Sequence, residues 1–178
     1  MAEEKKEPWL NYLALTTVIF AVCATLSTLK GGSFGSRAIM SQSQASDQWS
    51  YFQAKSIKGY VYELQKENFE MQLKAEKGAP RALIAEYEKK IDGYAQKIKK
   101  YDDEKTEIMK KAQELEIVRG DAQIHSGAFG LAAMFLQIAI LLSSIAALMK
   151  RKLFWFLGMA AGSFGLLYFM NGFLLFMK

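Results

Sequence analysis

His125 is the only histidine of the 178 residues, and Asp121 precedes it by one helical turn. An imidazole and a carboxylate at that spacing could share a proton or begin a metal site. A metal site needs further ligands, and a proton switch needs a partner whose contact changes on titration. An anchor at the mouth of an apolar segment is the better reading of His125. Asp102, Asp103, Glu104 and Glu107 also cluster, but Lys99, Lys100, Lys105, Lys110 and Lys111 surround them. Pairs such as Glu107 with Lys111 and Glu86 with Lys90 are ordinary supports of a solvated helix face. Gly31-Gly32-Ser33-Phe34-Gly35-Ser36 could cradle a phosphate only if a Lys-Ser/Thr pair followed the glycines, and Arg37-Ala38 stands there instead. Zinc spacing, a nucleophile elbow, a dinucleotide fingerprint and carboxylates paired in an apolar setting are all missing from the sequence. The expectation is a protein that is not an enzyme and holds no cofactor and no metal.

The elements that carry these residues are of two kinds. Residues 9–29, 129–149 and 153–177 contain no charged side chain. About 21 helical residues span roughly 31 Å, the thickness of a bilayer's hydrocarbon core. Three transmembrane helices are therefore expected, over 9–29, 128–149 and 153–177. A cleaved signal peptide competes for the first, since Lys5 and Lys6 precede it and Val22-Cys23-Ala24 loosely resembles a cleavage site. Glu3, Glu4 and Glu7 spoil the basic start, and the apolar run is too long for that reading. Val22 before Cys23 also fits a lipoprotein box poorly.

Net charge is +5, yet residues 31–127 hold sixteen basic and fifteen acidic residues. No clustered surplus faces a phosphate backbone there, so no nucleic-acid partner is expected. The surplus sits in Lys150-Arg151-Lys152, a tight basic loop over 150–152. Positive residues in short loops stay cytoplasmic. That predicts a cytoplasmic N-terminus over 1–8, a periplasmic segment over 30–127 and a periplasmic C-terminus. The single cysteine, Cys23, falls within a span and implies no disulfide.

Between the first two spans the sequence reads as helix with two interruptions. At residues 31–36 the glycines predict a bend at the exit from the membrane. At Lys77-Gly78-Ala79-Pro80, glycine suits the left-handed end of one helix and proline the first turn of the next. Two helices of roughly 40 to 45 residues joined by that turn must run antiparallel, residue i facing roughly residue 157 − i. The fold class is thus an all-α membrane protein: three transmembrane helices plus a long antiparallel, coiled-coil-like hairpin outside the bilayer.

The second hairpin helix has a seam of 3–4 spacing, Ile84, Tyr87, Ile91, Tyr94, Ile98, Tyr101 and Ile108. Leu64 and Met71 are its expected opposites on the first helix. Trp49, Tyr51, Phe52, Tyr62 and Phe69 exceed what one partner helix can cover and predict an aromatic contact surface. In the third span Gly158 with Gly162, and Ala161 with Gly165, have small-xxx-small spacing, which allows close helix approach and predicts self-association.

The stretch "WLNYLALTTVIFAVCATLSTLKGG" followed by "SQSQASDQWSYFQAKSIK", a helical middle and two closing spans resembles a bacterial family known only as a domain of unknown function. The resemblance covers essentially the whole chain and implies an inner-membrane protein of this layout, without catalytic residues to carry over. It draws interest to Ser41, Gln42, Asp47, Gln48, Trp49, Tyr51, Gln53, Ala54 and Lys55, a stretch richer than a plain coiled coil needs.

The functional expectation is a scaffold or assembly protein in contact with membrane lipid, forming homo-oligomers through the third span and the aromatic face. A channel or transporter subunit is the first alternative, with Gln137, Asn171, Asn11, Thr16, Thr17 and Thr25 as the polar groups within the spans. An accessory subunit docked on an unidentified membrane-protein partner is the second.

Overall fold

The computed structural model describes residues 8–76, 78 and 80–177. The expectations resting on Lys5, Lys6, Lys77, Ala79 and Lys178 lie outside the described residues. Three helices carry the chain: α1 (Pro8–Ala75), α2 (Arg81–Met149) and α3 (Lys152–Leu174). Each contains a stretch long and apolar enough to cross a membrane. The described residues form two compact units, one of residues 8–40 with 118–177, the other of residues 41–117.

Helix α1 does not break at residues 31–36. The expected bend is corrected by what the glycines do instead. A Cβ on Gly31 would stand 3.2 Å from Phe129 Cβ, and one on Gly35 3.3 Å from Ser126 Oγ. Ser126 Oγ donates to the Gly31 carbonyl at 3.0 Å. Glycine costs about 1 kcal/mol in a helix relative to alanine, less than a break in apolar surroundings would cost through unsatisfied backbone groups. The gain is close approach of α1 to α2.

In the first unit, α2 turns one strict stripe inward. Phe129, Ala132, Leu136, Ala139, Ser143 and Ala146 alternate by three and four residues, and all are 0% exposed. Around them pack Phe20 and Ala24 of α1, with half-buried Cys23, Met159 and Leu166 against the same cluster. A second cluster joins Trp9 and Leu13 to Ala146, with Phe154 and Trp155. Lys150, at φ +50°, and extended Arg151 make the sharp reversal from α2 to α3.

In the second unit α1 and α2 form the antiparallel hairpin. Gly78 takes φ +111°, the left-handed conformation for which glycine is suited. The Pro80 carbonyl accepts from Leu83 N and Ile84 N, starting α2. Ala45 and Ala112 are both buried, at complementary places in the expected register, and Ile108 is buried beside them. Most other seam positions are only half-buried, as two helices alone allow.

Candidate functional site

The glycines of α3 pack within the chain. A Cβ on Gly158 would stand 3.1 Å from the Ala139 carbonyl oxygen; on Gly165 it would stand 2.7 Å from Leu136 Cγ, and on Gly172 2.7 Å from Phe129 Cε1. On Gly162 it would overlap the Phe20 ring. Ala161 packs against the same Phe20 cluster. The face expected to carry self-association is therefore covered by α1 and α2. A short connection holds those neighbours in place, and they take the close approach that small residues permit before another copy can.

His125 ties α2 to the end of α3. Its Nδ1 lies 2.8 Å from the Gly172 carbonyl oxygen, so that nitrogen carries the hydrogen and donates. The ring stacks on Phe34 at 4.6 Å, while Nε2 lies 3.9 Å from Asp121 Oδ1. Next to Gly172, Asn171 closes the helix: Met177 N donates to its Oδ1 at 2.7 Å, and its Nδ2 donates to the Met177 carbonyl at 3.3 Å. These contacts fit an anchor. Among the described residues no group of three or more His, Cys, Asp or Glu could hold a metal ion. A groove of about 480 Å³ lies between α1 and α2, with Gly31, Gly35, Ser126 and Gly130 in its walls.

The hairpin seam is aromatic on both sides. Tyr62 stacks on Tyr101 at 5.7 Å and meets Tyr94 at 5.8 Å; Phe69 meets Tyr87 at 5.7 Å and stacks on Tyr94 at 5.9 Å. Ile84, Ile91 and Ile98 are half-buried along the same line. Tyr62 and Phe69, expected on a partner surface, thus serve their own hairpin. Leu64 and Met71, expected in the seam, point away from it, 65% and 63% exposed. The arithmetic of facing residues fixes height along the hairpin and leaves rotation about the axis open. A shift of two residues turns a helix by about 200°. Nearer residue 41, Trp49 Nε1 donates to Glu116 Oε1 at 2.9 Å and its ring meets Phe52 edge-on, while Tyr51 stays exposed.

Lysines cover the rings. Lys97 Nζ lies 4.9 Å from the Tyr62 ring centre, and Lys90 Nζ 5.0 Å from that of Phe69. Lys55 reaches across the hairpin to Glu104 Oε2 at 2.5 Å. That hydrogen bond holds the Glu104 carboxyl below the usual carboxylate range and raises the Lys55 ammonium above its ordinary value. Asp102 raises Lys105 in the same way, and Glu86 and Lys90 shift each other in opposite directions. Within the acidic cluster Glu104 pairs with Lys55 and Asp102 with Lys105, while Asp103 and Glu107 are exposed.

For two features the sequence alone does not decide which side of the helix they take. Gln137, near the middle of the second apolar run, is exposed on the outside of its unit. Ile57, Val61, Leu64 and Met71 form an exposed stripe on α1. The 3–4 spacing of the stripe is legible, but spacing alone does not say which side of α1 turns away from α2.

Three apolar helices, one small-residue membrane-type bundle and one aromatic hairpin define the class as an all-helical protein with helices suited to a bilayer. The chain belongs to the family described as Domain of unknown function (DUF4337), whose model matches residues 9–175. No curated protein and no solved structure matches the chain significantly.

Proposed function

We propose that the protein is a non-enzymatic scaffold or assembly protein of the bacterial inner membrane that works as a homo-oligomer. The observation that carries this reading is Gln137. Its amide is exposed on the outer side of a helix stretch with no charged residue. Hydrocarbon offers such a group no hydrogen bond, and amides across helices in the bilayer satisfy one another. A second copy provides that partner with the same residue. The glycine face of α3 then builds each subunit, and the α2 face around Gln137 joins subunits. Lys150, Arg151 and Lys152, all exposed at the α2–α3 reversal, support a cytoplasmic location for that turn. The N-terminus is then cytoplasmic and the segment between the first two spans periplasmic.

Native mass spectrometry of the full chain in mild detergent tests the reading. The expected result is a homo-oligomer with bound lipid that loses subunits in Gln137→Leu. A monomer without a co-purifying partner sinks the proposal. A stable complex with an unrelated membrane protein selects the accessory-subunit alternative, and ion flux in proteoliposomes selects the channel.

A further inference from the structure

The side of the hairpin turned away from the seam carries its own heptad pattern. Ile57, Val61, Leu64, Asn68 and Met71 follow one another at spacings of four, three, four and three, with Ala54 and Ala75 at either end. In heptad terms Val61 and Asn68 occupy a positions, and Ile57, Leu64 and Met71 occupy d positions. The helix is continuous through all of them. Every one is exposed, Ile57 at 63% and Val61 at 49%. The α2-facing side of α1 uses a different set, Lys55, Tyr62 and Phe69, so the stripe stays exposed among the described residues of the hairpin.

We propose that this stripe pairs with the same stripe of a second copy as a parallel two-stranded coiled coil. The inference rests on the self-association reading above and specifies its contact outside the membrane. The residue types name the occupant. A β-branched residue at a with leucine at d favours two strands, and a single asparagine at a fixes register and number at some cost in stability. In a parallel pair in register, Asn68 lies opposite the partner's Asn68, and the two amides satisfy each other. In an antiparallel pair a faces d, and the Asn68 amide meets Ile57, Leu64 or Met71 with its donors unmatched. Gln72 Nε2, on the same helix, donates to Asn68 Oδ1 at 3.1 Å.

The flanking positions agree. In a parallel pair each g residue meets the e residue five places on in the partner. Gln53 then meets Lys58, Tyr60 meets Gln65, and Glu67 meets Gln72, with no like charges opposed. The stripe covers only about three heptads, the lower bound for a recognisable coiled coil. Copies already confined to one bilayer and joined there raise each other's effective concentration, which lets so short a zipper form.

Cysteine cross-linking of the full-length protein in liposomes tests the proposal, in a Cys23→Ser background. Ile57→Cys and Met71→Cys, at two d positions, are each oxidised alone, with Lys89→Cys on the exposed side of α2 as the reference. Both d-position variants should form covalent dimers about tenfold faster than the reference, because a parallel pair places like d residues opposite one another. Asn68→Val should convert a single dimeric species into a mixture with larger assemblies. Cross-linking only when Ile57→Cys is mixed with a cysteine at an a position, Asn68→Cys, overturns the parallel pairing. Rates no higher than the reference, in a protein that native mass still shows to be oligomeric, overturn the stripe and leave self-association standing. A monomeric native mass removes both.

Discussion

Helix α2 carries two seams of the same spacing built from opposite materials. From Phe129 to Ala146 it offers alanine, serine and two large residues, and glycines of α3 fill the remaining space. From Ile84 to Tyr101 it offers isoleucine and tyrosine, stacked on Tyr62 and Phe69. Large aromatic surface is worth burying where water is the alternative. Lipid gives no such reward, so the membrane-type seam relies on backbone proximity, van der Waals contact and small side chains. The first solution depends on fit at the scale of a methyl group. The second tolerates gaps, because its rings are half-open and covered by lysine stems.

The contrast breaks most sharply at Gly162. Gly162→Leu forces a side chain into the space of the Phe20 ring and should cost about 3 kcal/mol or more, the upper range for overpacking. Thermal unfolding of the purified protein in detergent would read this as a large loss. Unchanged unfolding would mean that α3 packs elsewhere. Next comes Tyr94→Ala, which removes the ring shared by Tyr62 and Phe69. Half-burial places its cost below that of a full core truncation, at about 2 kcal/mol, readable by helix content during urea unfolding. A cost as large as that of Gly162→Leu would erase the distinction between tolerant and intolerant seams.

Gly127 sharpens the comparison in the other direction. A Cβ there meets nothing within 4 Å. Gly127→Ala should therefore stabilise by up to about 1 kcal/mol through helix propensity alone, seen as a raised unfolding midpoint. A clear loss would reveal a contact on that face with another molecule.

The smallest effect belongs to the Lys55–Glu104 pair. Because the folded-state pKa of Glu104 is lowered, its contribution is present above the ordinary carboxylate range and fades as pH falls through the depressed value. Lys55 is shifted upward, so its contribution is present at neutral pH and fades as pH rises through the raised value. Both groups are solvated, and the expected change is slight. Hairpin melting followed from neutral to acid pH should show a small drop that Glu104→Gln abolishes; an equal drop in that variant would assign it to other carboxylates.

The three helix stretches long and apolar enough to cross a membrane were legible because such stretches are written in sequence as long charge-free runs. The hairpin was legible because Gly78 and Pro80 punctuate it and Ala45 complements Ala112. Two things resisted. The glycines at residues 31–36 read as a bend, since a glycine that loosens a backbone and one that admits a neighbouring helix look alike until Phe129 and Ser126 are in place. Rotation of α1 about its axis was equally hidden: Tyr62 and Leu64 are two residues apart and both suit a core. Only the tyrosines of α2 decide between them. The glycine strip of α3 was read correctly as a surface for close packing, but spacing alone does not say whose helix arrives.

Cys23 gives the molecule a built-in clock. As the single thiol, half-buried against the Phe20 and Leu136 cluster, it meets a bulky maleimide freely only when α1 and α2 part. Its labelling rate in native membranes therefore times the breathing of the bundle without any engineered probe.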